Sequence, residues 1–484
     1  PSATPPGPAN GWLGWCHVRR LQADVLQYAL ELGRRYGDCV AFRIGPIKNF
    51  LLYHPRHVEQ LLVKQATALA KLPAVKWYFG RWMGRGLLLN EGTAWQSQRR
   101  KVRAAMQQID PESHAATVVR YTLRLLANYC KHGTDLAAAF DRLAFALNVH
   151  LLLGDEADSV LEGLHQAACE LHAIGIRELA RWSLIPDWLP LQSKTRLRAA
   201  RQHYDEVLLS AAQRRAASPQ ADLLSLLLHA SDRHTPGHGM SVRQARDEAA
   251  NLLMGGKETV SASLTFSCWL LAQHPHVQEE ARREVQQTLA DRPPQASDVA
   301  KLALTQMVIK EAMRLYPPVY IIARQLQRPL WIDGYRLPRF SQVMLPVYAI
   351  HRDARWFDAP EKFNPRRFEP EAERRRQPYA YLPFGAGPRR CVGAALGYQQ
   401  CVLALATLLQ SYRLHLPSTP ITLRLAADIA LHPKDPLPLV IDPLDGHGPA
   451  TAPACHTHGD MAATERNRTP ASSRRRGQPR ATEM

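Results

Sequence analysis

Residues 382–397, LPFGAGPRRCVGAALG, constrain this chain more than any other stretch. One cysteine, Cys391, sits between a glycine-rich turn and the start of an apolar helix, with Arg389 and Arg390 just before it. Gly385 and Gly387 permit a tight turn whose backbone N–H groups point inward. Val392 to Ala395 open a helix, so the sulfur lies near a positive helix terminus. Both features favour thiolate over thiol. A buried structural cysteine requires none of this scaffolding. A sulfur that grips an electrophile or a metal does.

The other cysteines (Cys16, Cys39, Cys130, Cys169, Cys268, Cys401 and Cys455) are scattered without CxxC pairs. That argues against a zinc module or a disulfide framework and suits a reducing, cytoplasmic compartment. Across 484 residues, 61 Lys and Arg face 43 Asp and Glu, a formal charge of +18. Such an excess favours an acidic partner or surface, or serves solubility alone. A nucleic-acid role would rest on charge only, since no binding motif accompanies it. No apolar run reaches the ~18 residues of a membrane span. The chain opens PSATPPGPANGWLGW, with no initiator methionine and no signal-peptide core, which leaves a removed methionine and a missing leader both open.

Hydrophobic periodicity predicts a mainly α chain with a small β portion. Residues 1–20 read as a proline-rich lead-in, 21–443 as one domain, and 444–484 as a disordered basic tail. A helix is predicted over 23–37, and two strands around a Gly-Pro turn over 39–55. The pattern from 56 to 316 is mostly helical, with loops at 69–93, 183–192 and 231–240. Strands joined by an Asp-Gly turn are predicted over 329–348, and a helix runs from the cysteine loop to about 412.

The pattern Phe384-x-x-Gly387-x-Arg389-x-Cys391-x-Gly393 resembles the haem-binding loop of the cytochrome P-450 superfamily of haem-thiolate monooxygenases. The resemblance implies that Cys391 is the axial iron ligand, that Phe384 packs beside the sulfur, and that Arg389 meets a haem propionate. Further motifs follow in the family's order. Glu311 and Arg314, three apart on a helix, form the ExxR pair, and Arg367 in FNPRRF joins them as a structural triad. Trp95 and Arg99, four apart on one helix face, match the family's WxxxR contact to a propionate, and Arg324 matches another.

Gly255-Gly256-Lys257-Glu258-Thr259 interrupts a long apolar helix, where paired glycines and an acid–threonine pair are costly. That cost predicts a local distortion opening a groove for O2. The resemblance gives Thr259 and Glu258 the roles of positioning water and dioxygen and of relaying protons. Lys257 either points away from the haem or pairs with Glu258.

The expected enzyme is therefore a soluble, monomeric, prokaryotic-type monooxygenase holding haem b. It would insert one oxygen atom from O2 into a C–H or C=C bond of a sizeable apolar substrate. Electrons would come from NAD(P)H through an acidic ferredoxin or flavodoxin docking near Arg390. Leu72, Val75, Trp77, Phe79, Trp82, Met83, Leu87, Val319, Ile322 and a loop at 182–190 are the expected pocket walls, with Gly255 leaving room above the iron. The alternatives are a haem enzyme needing no reductase (peroxygenase, isomerase or dehydratase) and a non-enzymatic haem sensor.

Overall fold

The computed structural model of the chain describes residues 4–444, apart from residues 12, 133, 181–186 and 230–238. Residues 182–186 of the expected 182–190 pocket loop and the expected disordered tail beyond Leu444 lie outside the described residues.

The helix Val242–Gln273 is the axis of the fold. It starts on a capping box: the Gln244 N–H donates to Ser241 Oγ at 3.3 Å, and the Ser241 N–H donates to Gln244 Oε1 at 3.1 Å. Every residue from Val260 to Ala272 is buried, as befits a helix surrounded by others. Two of its buried hydroxyls are satisfied within the helix: Ser263 donates to the Thr259 carbonyl and Ser267 to that of Ser263. Leu136–Leu153 packs along it. Leu136–Glu178 is apolar enough, by length and composition, to cross a membrane. It is nevertheless two helices broken at Gly154 (φ 55), and their apolar faces enter the core.

The β portion is small. β1 (Cys39–Ile44), β2 (Ile47–Leu52), β3 (Leu69–Ala70), β4 (Ile322–Leu326) and β7 (Gln342–Leu345) form one sheet in the order β1-β2-β7-β4-β3. Only the β2–β7 pair is parallel. β5 (Leu330–Ile332) and β6 (Tyr335–Leu337) are the hairpin expected around Asp333-Gly334. β8 (Tyr412–His415) pairs with β11 (Val440–Pro443), and β9 (Leu425–Ala427) with β10 (Leu431–Pro433).

Two expectations change. The helix expected from residue 23 is preceded by another helical segment starting at Trp15; between them Asp24 leaves helical geometry (φ −160, ψ 96) and caps the second segment, accepting from the Gln27 N–H at 2.9 Å. Upstream, Pro6 and Asn10 accept from the Ala41 and Arg43 N–H groups, so part of the lead-in is tied to β1. The expected loop at 69–93 contains the helix Pro73–Met83, started by a proline in its first turn and stopped at Gly84 (φ 66).

One buried cluster ties the helical core to the cysteine loop. Glu311 and Arg314 on Ala303–Leu315 are fully buried and pair twice, at 2.7 and 2.9 Å. Arg367 Nε donates to Glu311 at 3.3 Å, as does the Asn364 N–H at 2.9 Å. Arg314 also donates to the carbonyls of His351 and Pro360. His351 continues the chain of contacts, since its Nε2 accepts the Leu382 N–H at 2.7 Å, where the cysteine loop begins. Burial, with Arg314 and Arg352 nearby, lowers the His351 pKa to about 3 and keeps that nitrogen an acceptor. Removing one partner of such a pair strands a buried charge. Glu311→Ala should cost about 3–5 kcal/mol in denaturant unfolding. A loss below ~1 kcal/mol would rank the pair with exposed ones.

Candidate active site

The cysteine loop owes its path to glycine. Gly385 and Gly387 adopt φ values of 70 and 69, and a Cβ on Gly387 would lie 1.8 Å from the Leu62 carbonyl oxygen. Any side chain there would push the loop off residues 59–64. The turn closes when the Cys391 N–H donates to the Phe384 carbonyl at 3.0 Å. Phe384 itself packs, half-buried, against the main core. Gly393 precedes the helix Ala394–Ser411, and its N–H hydrogen bonds to the Cys391 sulfur.

Cys391 is accessible, yet protein crowds it enough that burial is the largest influence on its thiol. Its open side therefore faces a recess within the fold. Burial pushes the thiol pKa up, and the Gly393 N–H, Arg99 and Arg390 offset this only in part. The expected low-pKa thiolate is thus not a property of the protein alone. A low-dielectric recess favours neutral SH, whereas a coordinated metal ion deprotonates a thiol outright.

Beside the loop, the four residues assigned to propionates come together. Arg389 lies over Trp95, its guanidinium 4.3 Å from the ring centroid, and Arg99 lies 5.7 Å from the same centroid. Arg99 also donates to the Arg390 carbonyl at 2.7 Å. Arg324 on β4 is close enough to Arg389 for repulsion, and burial with that repulsion lowers its pKa to about 10. Lys71 joins the group: burial, Arg324 and Arg389 hold its ammonium well below the usual range. The carboxylate facing these cations is Glu91, which pairs with Arg389, approaches Lys76 at 3.5 Å and accepts the Lys71 N–H. The cluster holds more positive than negative charge in a partly desolvated place, which suits a bound dianion.

The third wall is the helix Val242–Gln273. Gly255 is exposed between buried Met254 and half-buried Gly256, and a Cβ there would meet nothing within 4 Å. The Thr259 hydroxyl donates to the Gly255 carbonyl at 2.9 Å. The expected distortion is absent, because the helix is continuous, anchored by the buried segment from Val260 onward. Glu258 turns to His172 on Ala157–Ala180. Lys257 points elsewhere, pairing with Asp141 at 2.8 Å. Gly397 packs against Val260, joining this helix to the one after Cys391.

Several expected pocket residues lie elsewhere. Trp82 and Met83 are buried in the core, Trp82 against Tyr204, and Phe79 packs edge-on against Tyr78. Trp77 and Val319 are exposed, Trp77 lying under Arg81. Ile322 belongs to the sheet's core and reaches Gly385. Leu72, Val75 and Leu87 remain half-buried. Helical periodicity turns Tyr78, Phe79 and Trp82 of Pro73–Met83 inward and leaves Trp77 outside. Lys71, Glu91, His172 and His351 were missed because their partners are remote in sequence.

An accessible thiol, an open glycine face and cations short of counter-charge fit an iron porphyrin with two carboxylates. The comparisons agree. The family model described as cytochrome P-450 matches residues 5–439. Cyclooctatin synthase of Streptomyces melanosporofaciens is 29% identical over 439 residues, 87% of this chain and 93% of that protein. Cyclooctat-9-en-7-ol 5-monooxygenase of the same organism is 28% identical, covering 88% of this chain and 93% of that protein. The crystal structure of the cytochrome P-450DA heme domain superposes with a TM-score of 0.82 at 24% identity, covering 92% of this chain and 99% of that one. With its fold, cysteine loop and family match in agreement, this chain belongs to the cytochrome P-450 family.

Proposed function

We propose that this haem-dependent oxidoreductase is a monooxygenase in which Cys391 is the axial ligand of the haem iron. The observation that carries the assignment is the placement of Cys391: in a glycine-dependent turn, beside a helix start, facing a recess flanked by surplus cations. When bound, the haem combines O2 with two electrons and two protons, placing one oxygen atom in an organic substrate and releasing the other as water.

The chain's own residues do the rest. Arg389, Arg324, Arg99 and Trp95 hold the propionates, with Lys71 adding charge. Phe384 shields the sulfur. Because the Thr259 hydroxyl donates to the Gly255 carbonyl, its lone pairs are free to accept a hydrogen bond from water or from an acid. Glu258 supplies protons to it. A cytoplasmic, monomeric enzyme fed by NAD(P)H through an acidic ferredoxin or flavodoxin is consistent with exposed Arg390 next to the cysteine.

The substrate is a bulky, largely apolar molecule, with a ring system favoured over a linear chain. The open face at Gly255 supports this. So do the names of two relatives, which point to cyclooctatin and cyclooctat-9-en-7-ol.

Turnover with a reconstituted redox partner should consume one NAD(P)H and one O2 per product. Thr259→Ala should retain haem and substrate binding while diverting electrons to peroxide; full coupling in that variant would remove Thr259 from the path. Gly255→Val should weaken a ring-system ligand at least tenfold, the cost of ~1.4 kcal/mol of overpacking, and spare imidazole. Equal affinity for the large ligand would refute the ring-system assignment. Reduction rates should fall with salt and with Arg390→Glu, and salt-independent reduction would place the partner elsewhere.

A further inference from the structure

Glu258 reaches across to a neighbouring helix. Its Oε1 lies 2.5 Å from Nδ1 of His172, on the helix Ala157–Ala180. The two atoms touch without hydrogen-bond alignment, and neither has a hydrogen-bond partner among the described residues. The β9–β10 hairpin lies within electrostatic reach of both residues. There Asp428 feels the charge of His172, and its Oδ2 lies 3.3 Å from His432 Nε2. Tyr320 fixes this hairpin by donating to the Ala427 and Asp428 carbonyls, both at 2.8 Å. Exposure falls step by step along the series. The His432 and Asp428 side chains are 44% and 39% exposed, those of His172 and Glu258 21% and 13%.

We propose that His172 passes protons to Glu258, and that Asp428 and His432 on the β9–β10 hairpin form the solvent end of this path. The inference rests on the reading of Glu258 and Thr259 as the proton relay and names what feeds it. Two protons are consumed for each O2 that yields one inserted oxygen and one water. Each leaves imidazolium Nδ1 for Glu258 Oε1, then passes to the Thr259 hydroxyl, and His172 is recharged from the Asp428–His432 side. Imidazole suits the step because it gains and loses a proton between about pH 5 and 8. A fixed cation at this position would hold Glu258 ionised and deliver nothing.

Three elements face His172. Glu258 lies against it from the helix Val242–Gln273, while the neighbouring Lys257 is engaged with Asp141. Asp428 on the hairpin lies within electrostatic reach of it, with His432 paired to Asp428. From Pro73–Met83, the Tyr78 hydroxyl donates to the His172 carbonyl at 3.3 Å, which holds that turn of helix in place. His172 touches neither substrate nor the reacting oxygen. It is a positioning residue acting through Glu258.

Two measurements on the holoenzyme test this. In the diamagnetic ferrous CO complex of histidine-labelled protein, the His172 ring signal, identified by its loss in His172→Asn, should shift on Glu258→Gln, because that change replaces the carboxylate lying 2.5 Å from Nδ1. An unshifted signal would overturn the contact in solution. Separately, His172→Asn should lose coupling severalfold, enlarge the solvent isotope effect and abolish the pH dependence of coupling, with unfolding temperature and substrate affinity retained. His172→Gln substitutes if that variant does not fold. Coupling like wild type in His172→Asn, with Thr259→Ala uncoupled, would overturn the His172 path and leave the relay reading standing. Coupling like wild type in both would overturn the two together.

Discussion

The paired charges of Glu311 and Arg314, with no exposed surface at all, are the interaction on which the rest of this structure depends. Burying two ions costs several kcal/mol each, and their attraction offsets this only when every remaining donor and acceptor is also satisfied. Here that condition recruits chain from far away. Arg314 needs the His351 and Pro360 carbonyls, and Glu311 needs Arg367 and the Asn364 N–H. The coil from 351 to 367 is thereby fixed to the helical core, and neutral His351 passes that fixity to Leu382. Cys391 inherits a rigid position from a cluster that does no chemistry.

The electrostatics at the other end of the loop point to one kind of ligand. Lys71, Arg324 and Arg389 repel one another in a partly desolvated place with Glu91 as the facing carboxylate, and the Cys391 thiol is pushed towards its neutral form. A metal complex carrying two carboxylates would relieve both strains: Arg389, Arg324 and Lys71 would hold the carboxylates, and Cys391 would bind the metal as thiolate. Binding that relieves strain in the folded state also stabilises it by mass action.

What could be read in the sequence was what is local. Cys391 with its glycines, the i,i+3 pair Glu311–Arg314 and the i,i+4 pair Trp95–Arg99 lie within one turn or one helix face, so spacing alone places them together. His351, Lys71 and His172 matter through partners that only the folded chain brings near: Leu382 for His351, Arg324 and Arg389 for Lys71, Glu258 for His172. No spacing rule connects them. The aromatics of residues 77–82 misled for the opposite reason. An aromatic-rich stretch reads as a pocket wall, but as the helix Pro73–Met83 it turns Phe79 and Trp82 into the core and Trp77 outward. The expected break at Gly255-Gly256 fails similarly. The buried run from Val260 holds the helix straight through, and Gly255 contributes open space instead of a kink.

The central claim is that one sulfur, held by this network, ligates the iron. The reduced, CO-treated protein reports that bond directly, since thiolate ligation shifts the Soret band strongly to the red. Wild-type protein should show that shifted band, and Cys391→His, if it still binds haem, should show only the unshifted band of a nitrogen-ligated haem. A red-shifted band that survives in Cys391→His would contradict the account.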